Sequence, residues 1–287
     1  MGVPSMMSRL RPERLRNSLH RAIRMTTGAR RALPDFVIVG AQKAGTTSLH
    51  AYLLQHPQIF PGERKEVHYF DLNFDKSELW YRSHFPRRAE LERNADAIGK
   101  PVLTGEASPY YLAHPHAAER IARLLPDARI IVLLRDPVAR AYSHYRHNVR
   151  KKEERLLFVE ALAREAGIMP AEARKLRSDP NARSLVHQLF SYRTRGHYAE
   201  QLEPYFAHCG RDRILIVRSE DFFADAQAIY SQVLRFLGID QWRLDASRVY
   251  NIGRYERGPI PGEAAQRAYF EPYNRDLYAM IGRDMGW

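Results

Sequence analysis

Apolar positions along this chain fall into two kinds of run. Phe36–Gly40, Ala128–Leu134 and Arg213–Val217 are short and hardly alternate with polar residues, and Val102–Thr104 is a shorter example. Such runs suit strands of a sheet covered on both faces. Between them lie segments of helical period: Thr46–Gln55, His116–Leu125, Val138 to about Lys151, Leu185–Tyr192, Tyr198–His208 and Ala226–Leu237. Residues 153–179 are charged and predict helix plus loop, residues 239–262 are irregular, and Ala264–Ile281 predicts a closing helix interrupted near Pro272. Strands alternating with helices predict an α/β fold with a parallel sheet and right-handed crossovers. Ligands in such folds bind beyond the carboxyl ends of the strands.

One such end stands out. After Phe36–Gly40 the chain reads AQKAGTTS before apolar periodicity resumes. An ordinary turn has no need of Lys43, Gly45, Thr46, Thr47 and Ser48 together. A helix N-terminus offers unpaired N–H groups and the positive end of the dipole, small residues let an anion approach, and the lysine adds charge. This loop suits a phosphate or sulfate group. It is not a Walker A motif, because Lys43 precedes Gly45 and Thr46 stands where that motif keeps its lysine.

Composition narrows the setting. The chain has 287 residues, 45% of them apolar, which is ample for a sizeable core. Its longest clear apolar stretch, Ile130–Leu134, cannot span a membrane, and no secretory apolar region stands near the start. Cys209 is the sole cysteine, which excludes an intrachain disulfide and a cysteine metal cluster. The expected location is the cytoplasm.

Net charge is +12, and +7 of it sits in residues 1–31. Leu15, Leu19 and Ile23 recur there at helical spacing among eight arginines. Residues 1–33 therefore read as a basic leader before one domain over 34–287. The leader is either a poorly ordered or domain-packed segment, or an amphipathic helix making peripheral contact with an anionic surface such as the inner membrane face. Aromatics are not interleaved with its arginines, so nucleic acid is not an expected partner.

Two further stretches carry chemistry. In VLLRDPVARAYSHYRH, Arg135 ends a buried strand, Asp136 can cap the next helix, Pro137 suits its first turn, and Ser143 follows Arg135 by eight residues. That is about two helical turns, so the hydroxyl could meet the same anion as the guanidinium. Arg140 and Arg146 read as surface charges. In KEVHYFD, Lys65 to Asp71, an extended chain puts Glu66 and His68 on one face, and Asp71 can fold back onto the imidazole. That set suits proton transfer, and equally a structural ion cluster.

Together these stretches resemble the sulfotransferases that use 3′-phosphoadenosine 5′-phosphosulfate (PAPS). Lys43, Ala44, Gly45, Thr46, Thr47 and Ser48 match the 5′-phosphosulfate loop, and Arg135 and Ser143 match the 3′-phosphate site. KEVHYFD resembles the Lys-Glu-x-His-Phe-Phe-Asp segment of the heparan sulfate glucosaminyl sulfotransferases, with Tyr69 in place of a phenylalanine. The resemblance implies Glu66 as general base, His68 and Asp71 as its supports, and Lys65 near cofactor and acceptor. GEASPYY, Gly105–Tyr111, resembles a Glu-Lys-Ser-Pro-x-Tyr stretch with Ala107 replacing the lysine, so Glu106 is a lesser candidate. NIGRYERGPIPG stands where a basic glycine loop covers the product nucleotide PAP; Arg254 is its best match and Arg257 a competitor.

The resemblance covers most of 34–287 and implies a P-loop-like three-layer fold, sulfuryl transfer without a metal, and an acceptor hydroxyl on a carbohydrate or glycoconjugate. Lacking a membrane anchor and a disulfide, the chain looks like a soluble, bacterial-type member. The competing classes are a P-loop kinase with a displaced lysine and a basic membrane- or nucleic-acid-binding module.

Overall fold

The computed structural model describes residues 20–245 and 258–287. Five strands form one sheet in the order β2-β3-β1-β4-β5, every neighbouring pair parallel. They are β1 (Phe36–Gly40), β2 (Ile59–Phe60), β3 (Leu103–Ala107), β4 (Arg129–Leu134) and β5 (Ile214–Arg218). All five residues of β1 are buried, as are five of the six in β4, which is why neither run alternates.

Helices cover both faces. α1 (Thr46–Leu53) leaves β1; α2 (Glu78–Arg82) and α3 (Arg88–Ile98) precede β3; α4 (Ala117–Leu124) leads to β4 and α5 (Pro137–Arg150) leaves it. α6 (Phe158–Ser178), α7 (Leu185–Phe190) and α8 (Tyr198–Cys209) precede β5; α9 (Ser219–Ala224), α10 (Ala226–Leu237) and α11 (Glu263–Ile281) follow. α1 packs with α10 over one face and α4 with α8 and α11 over the other, which gives three layers. The fold is the P-loop-like α/β arrangement expected.

Three of the expected elements differ in extent from the sequence reading. The second strand runs on to Ala107: Thr104 N–H donates to Asp35 Oδ2 at 2.7 Å, and the buried Glu106 carboxyl accepts from Tyr81. Residues 158–178 form one helix with Pro170 inside, and α11 continues through Pro272. A proline removes one backbone donor, and packing of Phe270, Asn274 and Leu277 on both sides of Pro272 holds α11 together.

Part of the arginine-rich segment is fastened to the domain. Residues 20–26 are helical. Arg21 pairs with Glu63 at 2.7 Å, while Arg24 donates to the carbonyls of Ser83 at 2.5 Å and Phe85 at 2.9 Å. Arg31 Nη1 donates to the Phe85 carbonyl at 2.7 Å. These guanidinium groups neutralise and order their own domain. No helix among the described residues is long and apolar enough to cross a membrane.

At the sheet's centre Gly105 pairs in register with Phe36, and a Cβ on it would lie 2.4 Å from the Phe36 ring. Rigid backbone on one side and a buried ring on the other leave nowhere to move. Gly105→Ala should therefore lower stability by about 1–3 kcal/mol. Urea unfolding would show this as a reduced midpoint at unchanged slope; an unchanged midpoint would mean that the ring relaxes freely.

Candidate active site

The loop between β1 and α1 is built for close approach. Gly45 precedes α1 at φ 101°, a backbone conformation costly for any residue with a Cβ. The first helical bond is from Leu49 N–H to the Gly45 carbonyl, so Thr46 and Thr47 N–H lack intrahelical acceptors. Two side chains fix the loop from outside: Ser219 Oγ donates to the Ala44 carbonyl at 2.8 Å, and Arg135 Nη1 to the Lys43 carbonyl at 3.0 Å. The strand end at β4 thus reaches the loop at β1, as the two motifs required. Thr46 and Ser48 are buried and Thr47 is half-buried.

The charge around this loop is one-sided. Burial lowers the Lys43 ammonium to about 8, and Arg150, Arg135, Lys151 and Arg140 add to the depression. No carboxylate pairs with Lys43 among the described residues. Positive groups gathered round a half-buried lysine and a helix N-terminus make an anion site.

α5 supplies one wall. Asp136 caps it by accepting from Val138 N–H at 2.9 Å, with Pro137 in the first turn. Ser143 is buried on α5 beside His144. Arg140 corrects the sequence reading: it is fully buried, and its Nη2 donates to the Tyr192 carbonyl. Helical spacing explains this, since positions three and four apart share a face and Arg140 lies on that of Ser143 and His144. Arg146 is exposed as expected.

Lys65 to Asp71 forms the facing wall. His68 Nδ1 lies 2.8 Å from Asp71 Oδ2, and its Nε2 lies 3.3 Å from Glu66 Oε2. Lys65 Nζ reaches Glu66 Oε1 at 2.6 Å and Thr47 Oγ1 at 2.7 Å. The three acid–base groups come together, though not on an extended chain: His68 has φ 55°, so the backbone turns there. Burial alone would raise the Glu66 carboxyl, but the His68 hydrogen bond and the Lys65 ammonium hold it down at about 2. Burial would likewise lower the imidazole, yet Asp71 and Glu66 lift it to about 9. Near neutral pH Glu66 is thus a carboxylate and His68 an imidazolium.

Three consecutive backbone donors explain how that turn is held. Val67 N–H bonds Glu106 Oε2 at 3.4 Å, His68 N–H bonds Ser108 Oγ at 3.2 Å, and Tyr69 N–H bonds Tyr111 Oη at 2.8 Å. Glu106 is wholly buried, with Tyr81 donating to it at 2.7 Å, and burial raises its carboxyl to about 7. The GEASPYY stretch is therefore the clamp on KEVHYFD. Polar residues at alternate positions of a buried strand end were the available sign of it. Tyr69 stacks on Tyr81 at 4.5 Å, closing the clamp from below.

Arg254 and Arg257 lie outside the described residues. No group of three or more His, Cys, Asp or Glu able to hold a metal occurs among the described residues.

Known proteins resemble this chain. Residues 34–243 match the sulfotransferase family. Membrane-associated sulfotransferase kil1 of Dictyostelium discoideum is 26% identical over 89% of this chain and 66% of its own length. Heparan sulfate glucosamine 3-O-sulfotransferase 3A1 of Mus musculus is 28% identical over 89% of this chain and 64% of its own length. The chain thus spans slightly less than two thirds of these two relatives. A solved sulfotransferase structure from Alicyclobacillus acidocaldarius is 34% identical, with a TM-score of 0.65 over 88% of this chain and 97% of that one. Since the match takes in the anion loop, both of its walls and all five strands, the chain belongs to the sulfotransferase family.

Proposed function

We propose that this protein transfers the sulfuryl group of PAPS to an acceptor hydroxyl on a carbohydrate or glycoconjugate, with Glu66 as general base. One contact supports the reading above all others: Lys65 Nζ bridges Thr47 of the anion loop and Glu66 of the acid–base chain. A group held at the loop and a hydroxyl held at Glu66 are then neighbours, and such proximity favours transfer between them.

The loop and Lys43 would take the 5′-phosphosulfate, with the N–H groups of Thr46 and Thr47, the Ser48 hydroxyl and the small Ala44 and Gly45 lining the approach. Arg135 and Ser143 would take the 3′-phosphate, with Arg254 closing over the nucleotide. The donor set fits such a ligand: cations and N–H groups that pair with no acid among the described residues. PAPS supplies the activated sulfuryl group and leaves as PAP.

Sulfuryl transfer, like phosphoryl transfer, asks the protein for position and charge rather than covalent chemistry. Lys43 meets the charge that grows on the departing phosphate. Glu66 is ionised and ready, but in the resting site its basicity is low because Lys65 and His68 both donate to it. An anionic group at the loop competes for Lys65, which draws one donor off Glu66 as the acceptor arrives. His68, fixed by Asp71, keeps the carboxylate aimed. The acceptor class rests on the similarity to the heparan sulfate enzyme and on the KEVHYFD resemblance.

Calorimetry tests the donor site directly. PAP should bind at least ~10-fold more tightly than AMP, since charge-assisted phosphate contacts are the strong ones. Equal affinity for the two would remove the 3′-phosphate site and the reading with it.

A further inference from the structure

Three backbone donors of the turn that carries Glu66 and His68 end on one buried carboxylate. Val67 N–H bonds Glu106 Oε2 at 3.4 Å. His68 N–H bonds the Ser108 hydroxyl, which donates on to Glu106 Oε2 at 2.8 Å. Tyr69 N–H bonds the Tyr111 hydroxyl, which donates on to Glu106 Oε1 at 3.2 Å. Tyr81 of α2 adds a fourth donor, 2.7 Å from Oε1.

That place suits an ionised carboxylate. Glu106 has no exposed surface, and all its partners are neutral donors. An ionised carboxylate only accepts, whereas a protonated one sets an O–H against these donors and leaves a buried group unpaired. The backbone it holds is not relaxed: His68 has φ 55°, a conformation costly for a residue with a Cβ. Loosening the donors lets the turn relax and carries Glu66 and the imidazole with it.

We propose that Glu106 is a positioning residue of the transfer reaction: its carboxylate sets the turn that presents Glu66 and His68, and its protonation slackens that turn. The proposal rests on the reading of Glu66 and His68 as the acid–base pair.

A pH signature follows. Burial raises the Glu106 carboxyl to about 7, while Glu66 stands at about 2, Lys43 at about 8 and His68 at about 9. Of these four, Glu106 is the group that changes charge on the acid side of neutral. Facing it are Tyr81 from α2, Ser108 and Tyr111 from the segment after β3, and the uncharged Val37 paired to it from β1. Asp71 and Tyr69 stand one group further out, acting on Tyr111 and Tyr81. His50 of α1, which packs on β3, is held at about 4 by burial, with Lys65 and Glu66 as its charged neighbours.

The test uses the full chain, labelled PAPS and heparan sulfate as the acceptor probe. In the parent, kcat should fall with an acid limb near pH 7. Glu106→Gln should lower kcat ~10–100-fold, remove that limb, and leave PAP binding and the KM for PAPS as they were. Tyr81→Phe takes away a donor that stabilises the ionised carboxyl, so it should move the limb to higher pH by about half a unit or more. A residue that only supports the fold would not govern the limb. Imidazole NMR of His68, its signal identified by loss in His68→Gln, needs neither donor nor acceptor. It should titrate at about 9 in the parent and, in Glu106→Gln, at least about one unit nearer the ordinary 6.5. Glu106 loses the role if its variant keeps the acid limb or full kcat, if Tyr81→Phe leaves the limb in place, or if the imidazole titrates alike in both proteins. A parent without turnover on heparan sulfate counts against the proposed transfer, and the imidazole then decides the hold of Glu106 on the turn by itself.

Discussion

Glu66→Gln is expected to lower turnover by about 10²–10⁴-fold while leaving PAP binding intact. Glutamine keeps the shape and an oxygen that can accept from Lys65, so the bridge to Thr47 survives. What goes is the proton-accepting charge. Because Lys65 is the link between Glu66 and the loop among the described residues, the nucleotide should bind as before, and calorimetry with PAP beside steady-state rates with labelled PAPS separates the two effects. Undiminished turnover in the glutamine variant would take Glu66 out of the role and leave the cluster a structural one.

Lys43→Met should cost about 10²–10³-fold in turnover, the usual loss when one donor to a developing anion is removed. It should also weaken PAP binding, and the wild-type protein gives that claim a pH signature. Its Lys43 sits at about 8 in the free protein, depressed first by burial and then by neighbouring cations. An anion at the loop restores the ammonium toward its ordinary 10.5, so binding takes up a proton above pH 8. Affinity for PAP should therefore fall as pH rises past 8, by up to ~10-fold per unit, and the slope should vanish in Lys43→Met. His68 titrates nearby at about 9, but its partners are Asp71 and Glu66, not the loop, so it should contribute little to the slope. An identical pH profile in the two proteins would mean that Lys43 does not face the ligand.

Much of this was legible in the chain because its signals are local. Unalternating runs marked β1, β4 and β5, and the lysine, glycine and hydroxyls after β1 have no simpler use. The Glu66–His68–Asp71 grouping followed from short spacing, since any compact path from 66 to 71 brings the three close. What escaped the reading depends on contacts distant in sequence. β2 is two residues long and exists only because β3 lies beside it. Glu106 reads as a weak candidate until Tyr81 and Val67 are seen to surround it. Arg140 reads as surface because charge usually is, and only the packing of α5 on residues 192–196 shows otherwise.

The strand order has a consequence for synthesis. β1 emerges early, yet its partner β4 begins at Arg129, paired to Phe36 and thus far along the chain. While the ribosome is still making the intervening stretch, FVIVG has an open flank and no polar residue within the run to blunt it. Nascent chains of this protein should lean on chaperones until the fourth strand clears the exit tunnel, and fragments ending before it should clump rather than fold.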